Sequence, residues 1–485
     1  MATIRELEPK NVWTIFDEIT KIPRPSKKEE KIRAYLREFA AKHSLEIKED
    51  AKGNIVIRKE ATPGRVNHTP VILQSHVDMV CEKDSGSTHN FETDPIETYI
   101  EDGWVKARGT TLGADCGIGM ALQMAVLCAE GIEHPAIEAL FTVDEEMGLT
   151  GAMELGEGML TYKRMINLDS EDEGEIFIGC AGGIDTLANY EIEYEDCAEG
   201  ATYYNINIGG LRGGHSGDDI NKGRANANKV LGRMLWLVTE EFGARICTLD
   251  GGNLRNAIAR DSSAVVAFGS GVDLEAMEER LAGLAVAICD EYSVTEPDIE
   301  ISFESDCMVE FKRVFAGEFS RRVLRAVLGV PCGVIEQSFS MPGLVETSTN
   351  LASIKVYEGE LEVVTSQRSS VQSARDYVAS GVAGVFALSG ARVRHSDGYP
   401  GWKPNPDSVF VQGSARLYYD MFGEEAKVKA IHAGLECGLF LENYPDLDII
   451  SVGPTLRDVH SPSERLEIAS LAKTWDYLLG LLSLE

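Results

Sequence analysis

The chain has 485 residues, 44% apolar and 26% charged, and its 78 acidic and 46 basic residues give a net charge of −32, which argues against nucleic-acid and anionic-membrane partners. No stretch approaches the roughly 20 apolar residues of a membrane helix, and the N-terminal MATIRELEPKNVW lacks an apolar signal core, so we predict a cytoplasmic protein. Single cores stop growing near about 250–300 residues, so two domains are expected.

The first part of the chain alternates predicted helices and strands. Ser26 and Glu29 resemble a capping box, followed by a predicted amphipathic helix over residues 27–43. This alternation indicates an α/β layer with a largely parallel sheet, in which the strand over 71–80 is apolar enough to be buried. The other predicted elements of this region are strands over 54–59, 136–143 and 165–169 and a helix over 117–130.

From about residue 185 the pattern changes to an α+β type. The predicted elements there are strands over 203–208 and 263–268 and helices over 226–241, 274–292 and 372–387. Near residue 393 the chain returns to short elements, with a buried strand over 446–453 and a closing helix over 464–484. We therefore predict an α/β fold: residues 1–184 and 393–485 form one domain with a mixed, largely parallel central sheet flanked by helices, and residues 185–392 form an inserted α+β domain.

Acidic and histidine side chains follow the apolar strands of the first domain, where open α/β sheets bind their ligands. Alone, each has an ordinary explanation, such as a solvated glutamate pair or a histidine bonded to its neighbour. Together they supply two histidines and three carboxylates for two bridged metal ions, a spare glutamate as base, and Asp78 behind His76. The residues are His76, Asp78, Asp115, Glu145, Glu146, Asp169 and His460. The set predicts two divalent ions per subunit, zinc first, with cobalt or manganese as alternatives.

The ten cysteines are scattered, without a C-x-x-C pair. In a chain of this length without a signal segment, this distribution favours reduced thiols and gives no support to a cysteine zinc site. Cys116 follows Asp115 directly, has glycine neighbours and lacks a matched partner. We interpret it as a small packing residue.

The sequence resembles the M20 family of metallopeptidases, and most closely its aminoacyl-histidine dipeptidase branch. The resemblance extends along essentially the whole chain. The segments that carry it are SHVDMV, ARGTTLGADCGIGMA, DEEMGLTGA, NLDSEDEGEIFIGCAGG, GGHSGDDINKGRANAN, GGNLRNAIAR, VETSTNLA, GYPGW, HAGLECGLF and SVGPTLRDVHSPSE. The resemblance implies hydrolysis of dipeptides, with Xaa-His substrates such as β-Ala-His preferred.

The resemblance also implies a role for each residue at the strand ends. His76 and Asp169 would bind one metal ion, Glu146 and His460 the other, and Asp115 would bridge both. Glu145 would be the general base, which takes a proton from the attacking water and passes it to the leaving amine. Asp78 would orient His76.

The inserted domain would be the lid, and through it the protein would form a homodimer. His215, in GGHSG, would help to hold the carbonyl oxyanion, in its own subunit or in a neighbouring one; the alternative is a turn residue among glycines. Asn256 would lie near the substrate. In HAGLECG, His432 and Glu436 would line the pocket, with Glu436 a candidate for binding the free amino group, unless the glycines there only permit a tight turn.

Other functions remain open at this stage. The same metals would serve a deacylase that removes an N-acyl group from an amino acid. A non-catalytic binding protein of the same fold predicts the loss of the base or of a ligand, but all seven positions are filled. A serine hydrolase would need a G-x-S-x-G elbow, which the GGHSG segment does not provide.

Overall fold

The computed structural model describes residues 3–305 and 310–484, and this part of the chain divides into two compact units. Unit 1 comprises Met1–Gly179, Trp402–Ala430 and Leu435–Glu485, and unit 2 comprises Cys180–Gly401 and Ile431–Gly434. The predicted domain boundaries, between residues 184 and 185 and between residues 392 and 393, both lie inside unit 2. The reason is that the strand beginning at Gly182 already pairs with the sheet of unit 2.

The elements follow one another along the chain in three groups. Unit 1 begins with a 3-10 helix (Ile4–Glu6), α1 (Lys10–Ile19), α2 (Glu30–Lys42), β1 (Glu46–Glu49), β2 (Ile55–Lys59), β3 (Val71–His76), β4 (Thr98–Glu101), β5 (Trp104–Ala107), α3 (Ala114–Cys128), β6 (Ile137–Thr142), α4 (Thr150–Met153), β7 (Arg164–Asn167) and β8 (Glu175–Cys180).

The elements of unit 2 are β9 (Gly182–Glu191), β10 (Tyr194–Asp196), β11 (Thr202–Gly209), β12 (Gly214–His215), α5 (Ala227–Glu241), β13 (Arg245–Gly251), β14 (Ala257–Ile258), β15 (Ser262–Phe268), α6 (Leu274–Glu291), β16 (Glu300–Ser305), β17 (Arg313–Phe315), α7 (Gly317–Gly329), β18 (Gly333–Gln337), β19 (Val345–Tyr357), β20 (Glu360–Ser369), α8 (Gln372–Leu388) and β21 (Arg392–His395). Unit 1 resumes with α9 (Val409–Phe422), β22 (Lys427–Ile431), α10 (Glu436–Asn443), β23 (Asp448–Ser451), β24 (Leu456–Arg457), β25 (Arg465–Glu467) and α11 (Ile468–Leu481).

The central sheet of unit 1 has the strand order β1-β2-β6-β3-β7-β23-β8-β22. Strands β6, β3, β7 and β23 run parallel to their neighbours at the centre, whereas β1, β2 and β8 pair antiparallel. The predicted mixed α/β sheet is therefore confirmed, with its parallel part in the middle. Every residue of β3 and β6 is buried, as expected for central strands that helices cover on both faces.

The sheet of unit 2 has the order β16-β11-β15-β13-β19-β20-β9-β21, with β18 also paired to β19. Its described pairs are antiparallel. Side chains of α5, α7 and α8 form a common apolar core with the inward-facing side chains of these strands. This arrangement of an antiparallel sheet and packed helices is the predicted α+β unit.

Three local predictions were wrong. The strand predicted over 71–80 ends at His76, because the chain turns there to bring the following residues to the edge of the sheet. The predicted closing helix begins at Ile468, since Arg465–Glu467 pair with β5 instead. Ser26 does not cap α2: its hydroxyl donates to Asp78 at 2.7 Å.

Within the described residues, every cysteine is a free thiol, in agreement with the absence of a disulfide framework in the sequence. No helix in residues 3–305 and 310–484 is long and apolar enough to cross a lipid bilayer.

Candidate active site

The parallel strands at the centre of unit 1 deliver polar residues to one edge of the sheet. Their carboxyl ends lie side by side, so the loops that follow them meet there. These loops and the start of α3 bring together the seven side chains predicted as a metal centre. We call this set the strand-end cluster: His76, Asp78, Asp115, Glu145, Glu146, Asp169 and His460.

Asp115 lies between two histidines. Its Oδ1 atom is 3.1 Å from Nε2 of His76, and its Oδ2 atom is 3.0 Å from Nε2 of His460. The Nε2 atom of His76 is also 3.4 Å from Oδ1 of Asp169, and that of His460 is 3.1 Å from the Glu146 carboxylate. Atoms that share one tetrahedral zinc ion at about 2.0–2.1 Å lie about 3.3 Å apart. The spacing around each imidazole therefore fits a pair of ions that share Asp115.

An orphaned oxygen supports the same fit. Oδ1 of Asp169 is buried and lacks a hydrogen bond of good geometry among residues 3–305 and 310–484, where its contact to Nε2 of His76 is 3.4 Å long. Leaving a buried polar group unpaired costs about 1–3 kcal/mol, and more when the group is charged. A cation would remove that penalty, and imidazole with carboxylate is a donor set that zinc, cobalt and manganese accept. Four trios of described residues have ligand atoms within 4.8 Å of one another: His76, Glu145 and Glu146; Asp115, Glu146 and His460; His76, Cys116 and Asp169; and Glu29, Asp78 and Asp144.

Asp78 organises the residues around it. Its Oδ1 atom is 3.4 Å from Nδ1 of His76 and accepts the backbone N–H of Glu145 at 3.1 Å. Its Oδ2 atom accepts the Ser26 hydroxyl at 2.7 Å and the backbone N–H of Glu146 at 3.2 Å. One fully buried carboxylate thus orients the His76 ring, leaving Nε2 toward Asp115, and fixes the backbone of the glutamate pair.

The charges of the strand-end cluster favour a bound cation. Burial tends to raise the pKa of Asp115, but hydrogen bonds from His460 and His76 outweigh it and hold that pKa below its ordinary value. Hydrogen bonds to Asp115 and Glu146 raise the pKa of His460 to about 11. Burial lowers the pKa of His76, yet the surrounding carboxylates, Asp169 foremost, raise it well above normal. Without metal, protons would occupy both imidazoles at neutral pH.

Glu145 has the environment of a base. Its Oε2 atom is 4.0 Å from Nε2 of His76, farther than the carboxylate atoms of Asp115 and Asp169 lie from that nitrogen. Burial raises the pKa of Glu145 well above its ordinary value, and Asp169 and the carboxylate of Glu436 add to the rise, whereas His76 opposes it. A carboxylate with raised proton affinity can accept a proton from water near neutral pH.

His460 sits in a loop with unusual backbone geometry. Its φ is 60°, in the left-handed region, and so is that of Asp458 at 54°. Non-glycine residues adopt this region rarely, and surrounding structure must hold them there. The imidazole is about half exposed, whereas His76 is fully buried. One side of the cluster is thus open to solvent.

Glu436 lies in unit 1, fully buried at the start of α10. Its Oε2 atom accepts from Nε2 of Gln74 at 2.7 Å and from the Thr142 hydroxyl at 2.8 Å. Gln74 in turn accepts from Asn167, which accepts from Ser451, so a hydrogen-bonded chain crosses the parallel strands below the strand-end cluster. Burial raises the pKa of Glu436 to about 8. No described donor reaches its Oε1 atom.

The side chain of Cys116 is buried and packs closely against its neighbours. Its Sγ atom donates to the carbonyl of Leu168 at 3.3 Å, and a Cβ on Gly119 would lie 2.5 Å from that sulfur. Burial raises the pKa of the thiol well above its ordinary value. These contacts agree with the small-residue interpretation.

His215 and Asn256 lie together in unit 2. Strand β12 pairs with β14 so that His215 is opposite Ala257, and the backbone N–H of Ser216 donates to the carbonyl of Asn256 at 2.8 Å. Nδ1 of His215 accepts the backbone N–H groups of Gly217 and Asp218 at 3.3 and 3.2 Å. That pattern assigns the imidazole proton to Nε2, which can donate to an oxyanion.

His432 also belongs to unit 2 and is buried. Its Nε2 atom is 2.7 Å from the Ser348 hydroxyl, and burial, with Arg368 nearby, lowers its pKa to about 4. Arg368 is itself mostly buried and donates to the hydroxyls of Tyr399 and Ser216, at 2.9 and 3.4 Å. A buried guanidinium with neutral partners is suited to binding an anion.

Sequence reasoning missed Ser26 and Glu464, which contact the strand-end cluster, and it missed the buried Arg368 near His432 in unit 2. Arg368 lies in the alternating pattern of β20, which gives it no distinguishing signal. Ser26 was taken for a helix cap. Glu464 was within the recognised segment VHSPSE, only four residues after His460, and that proximity could have identified it.

The chain is similar to known peptidases in both sequence and fold. The model of peptidase family M20/M25/M40 matches residues 72–483. The cytosol non-specific dipeptidase of Escherichia coli (strain K12) is 38% identical over 482 residues, 99% of each chain. The crystal structure of aminoacylhistidine dipeptidase from Vibrio alginolyticus superposes with a TM-score of 0.94 at 40% identity, covering 99% of this chain and 98% of that one. Aminopeptidase PepT from Bacillus cereus shares the fold, with a TM-score of 0.61, 16% identity and 98% coverage of both chains.

Proposed function

The chain belongs to peptidase family M20/M25/M40, as its motifs predicted, and from this premise we propose that it hydrolyses dipeptides at the strand-end cluster. The observation that carries the proposal is Asp115, whose two carboxylate oxygens face different histidines. That arrangement suits a bridge between two ions. The names of the two relatives that match nearly the whole chain, a non-specific dipeptidase and an aminoacylhistidine dipeptidase, support dipeptides as the substrate class.

His76 and Asp169 would hold one divalent ion, Glu146 and His460 the other, and Asp115 both. Bound there, two such ions would supply Lewis-acid chemistry, polarising the scissile carbonyl and lowering the pKa of water. Zinc is our first assignment, with cobalt or manganese as alternatives.

The proton transfers fall to Glu145. Its carboxylate takes a proton from the attacking water and returns it to the nitrogen of the leaving amino acid, so that the peptide bond breaks and the carboxylate is regenerated. Asp78 keeps the glutamate in place through the backbone N–H of Glu145 and holds the His76 ring. Both actions need the carboxylate form of Asp78, which its hydrogen bonds favour.

The remaining predicted residues would bind the substrate or stabilise the oxyanion. His215 would stabilise the oxyanion through Nε2, and Asn256 and His432 would contact the substrate. Glu436 would interact with the free amino group through Oε1. Unit 2 would serve as lid and as the dimerisation domain of a homodimer, and the protein would act in the cytoplasm.

The preference for Xaa-His substrates is the finer part of the proposal. A deacylase of the same fold is the second candidate, since the same metal cluster would cleave an N-acyl bond. The buried carboxyl group of Glu436, with an oxygen that no described donor reaches, favours the dipeptidase, because a free ammonium group would pair with it and stabilise its ionised form, whereas an acylated nitrogen would not.

A panel of substrates tests the proposal. The protein, loaded with zinc or cobalt, is incubated with Ala-His, β-Ala-His, Ala-Leu, Ala-Ala-His and N-acetyl-histidine, and released amino acids are quantified. We expect release from the dipeptides only, fastest from the Xaa-His pair, and none after treatment with a chelator. Release from N-acetyl-histidine alone would identify a deacylase, and release from no compound would indicate a non-catalytic protein.

A further inference from the structure

Glu464 caps the turn that carries Asp115. The Oε2 atom of this carboxylate accepts the backbone N–H groups of Leu112 and Gly113 at 2.7 and 2.9 Å. Its Oε1 atom accepts those of Ala114 and Asp115 at 2.8 and 3.3 Å. Leu112 and Gly113 lie just before α3, and Ala114 and Asp115 are its first two residues, of which Asp115 has non-helical backbone angles. The first N–H groups of a helix have no acceptor within the helix itself. A buried side chain from the far end of the sequence thus supplies the cap.

Arg24 holds the same turn from the carbonyl side. Its guanidinium is buried and donates through Nη2 to the carbonyl of Gly113. Through Nη1 it donates to the carbonyls of Val77 and Asp78, at 3.0 and 2.7 Å. Gly113 has φ 69°, and a Cβ there would lie 2.6 Å from Nη2 of Arg24, so the absence of a side chain lets the guanidinium reach the turn.

The two side chains connect the loops that carry the histidines. Arg24 joins the turn of Asp115 to the segment just after His76. Glu464 joins that turn to the loop of His460, which lies four residues before it. The contacts thus link the segments that carry His76, Asp115 and His460, and each of these residues is a proposed metal ligand.

From this connection we infer that Glu464 and Arg24 are positioning residues for Asp115. They hold its carboxylate where one oxygen faces His76 and the other faces His460, and neither of them belongs to the strand-end cluster. The inference rests on the proposed two-metal function. If the inference is correct, binding of the second ion depends on Glu464 and Arg24, although neither is a metal ligand.

Cobalt binding by Glu464→Gln tests the inference. Glutamine keeps the shape of the side chain, but its NH2 group cannot accept a hydrogen bond, so two of the capped N–H groups lose their acceptor. The matched control is Glu138→Gln, because Glu138 is equally buried, accepts the N–H groups of Thr161 and Tyr162, and pairs with Arg58, away from the cluster.

The readouts are the number of Co²⁺ ions bound per chain, their affinities and the visible absorption spectrum of the bound cobalt. We expect the second ion to bind about ten- to a hundredfold more weakly to Glu464→Gln, with an altered spectrum, while Glu138→Gln and the wild type bind two ions alike. If Glu464 has a purely structural role, Glu464→Gln will behave like the control Glu138→Gln. Both variants will then lose thermal stability but bind cobalt like the wild type.

Arg24→Lys is the second variant and decides the matter if Glu464→Gln does not fold. It keeps the buried charge, but one ammonium nitrogen cannot occupy the positions of both Nη1 and Nη2. The same weakening of the second ion is expected. Wild-type cobalt affinities and spectrum in the folded variants would overturn the inference. Failure of the wild type itself to bind two ions or to cleave Ala-His would instead overturn the proposed function.

Discussion

Oδ2 of Asp115 lies 3.0 Å from Nε2 of His460, although 345 residues separate the two in the sequence. The other oxygen of the same carboxylate faces His76. Each imidazole also has its own additional carboxylate, Asp169 beside His76 and Glu146 beside His460. This symmetry about Asp115 would give the two proposed ion sites a similar composition, and the predictions below follow from it.

Replacement of Glu145 by glutamine should separate metal binding from turnover. The variant keeps the ligand set, so it should bind two ions like the wild type. It cannot accept a proton, so kcat for Ala-His should fall by about 10²–10⁴-fold. Metal content and steady-state kinetics measure the two effects. Near-normal kcat would show that another group is the base.

Replacement of Asp115 by alanine should reduce the number of tightly bound ions below two, since both sites lose one ligand. Metal analysis after gel filtration measures this number. Asp172→Ala is a suitable control, because Asp172 lies in the same acidic loop as Asp169 but outside the strand-end cluster, and its carboxylate forms a surface ion pair with Arg457. Two firmly held ions in the Asp115 variant would contradict the bridging role.

Metal binding should release protons and strengthen as the pH rises. Without metal, the pKa of His460 is raised to about 11 and that of His76 is also raised, so both rings are protonated at pH 7. A metal ion needs the neutral ring, so each ion must displace a proton. Between pH 6 and pH 8, affinity should grow about tenfold per pH unit for each proton released. Calorimetry in buffers of different ionisation enthalpy counts these protons, and a pH-independent affinity would contradict the protonation states.

His215→Asn tests the oxyanion role. The asparagine amide oxygen can replace Nδ1 as acceptor for the N–H groups of Gly217 and Asp218, but the variant lacks the donor Nε2. We expect kcat for dipeptides to fall by about 10²–10³-fold with both metals retained. His68→Asn, in unit 1 and outside the cluster, serves as the control. A change in KM alone would assign His215 to substrate binding.

The sequence predicted the parallel centre of the sheet well, because its strands are buried on both faces and contain apolar runs such as the VIL that opens β3. The strand-end cluster was foreseeable for the same reason, since reactive residues follow those runs directly. The ends of elements were less predictable. His76 ends β3, and Arg465–Glu467 form a strand, because pairing partners elsewhere in the chain decide these ends.

The supporting contacts could not be predicted from local patterns. Ser26 has the spacing of a capping box, but the fold places a buried carboxylate, Asp78, within reach of its hydroxyl. Glu464 and Arg24 act on backbone groups far away in sequence, and such contacts leave no periodicity. Side-chain to backbone hydrogen bonds over long separations become visible only once the loops are assembled.

The most direct test of the account is a metal titration of dipeptide hydrolysis. The protein is stripped of metal with a chelator, dialysed, and assayed for histidine release from Ala-His as Zn²⁺ or Co²⁺ is added in known equivalents. We predict no release without metal and a rise that reaches its maximum at two equivalents per chain. Release that persists without metal, or that is complete at one equivalent, would contradict a two-ion site centred on Asp115.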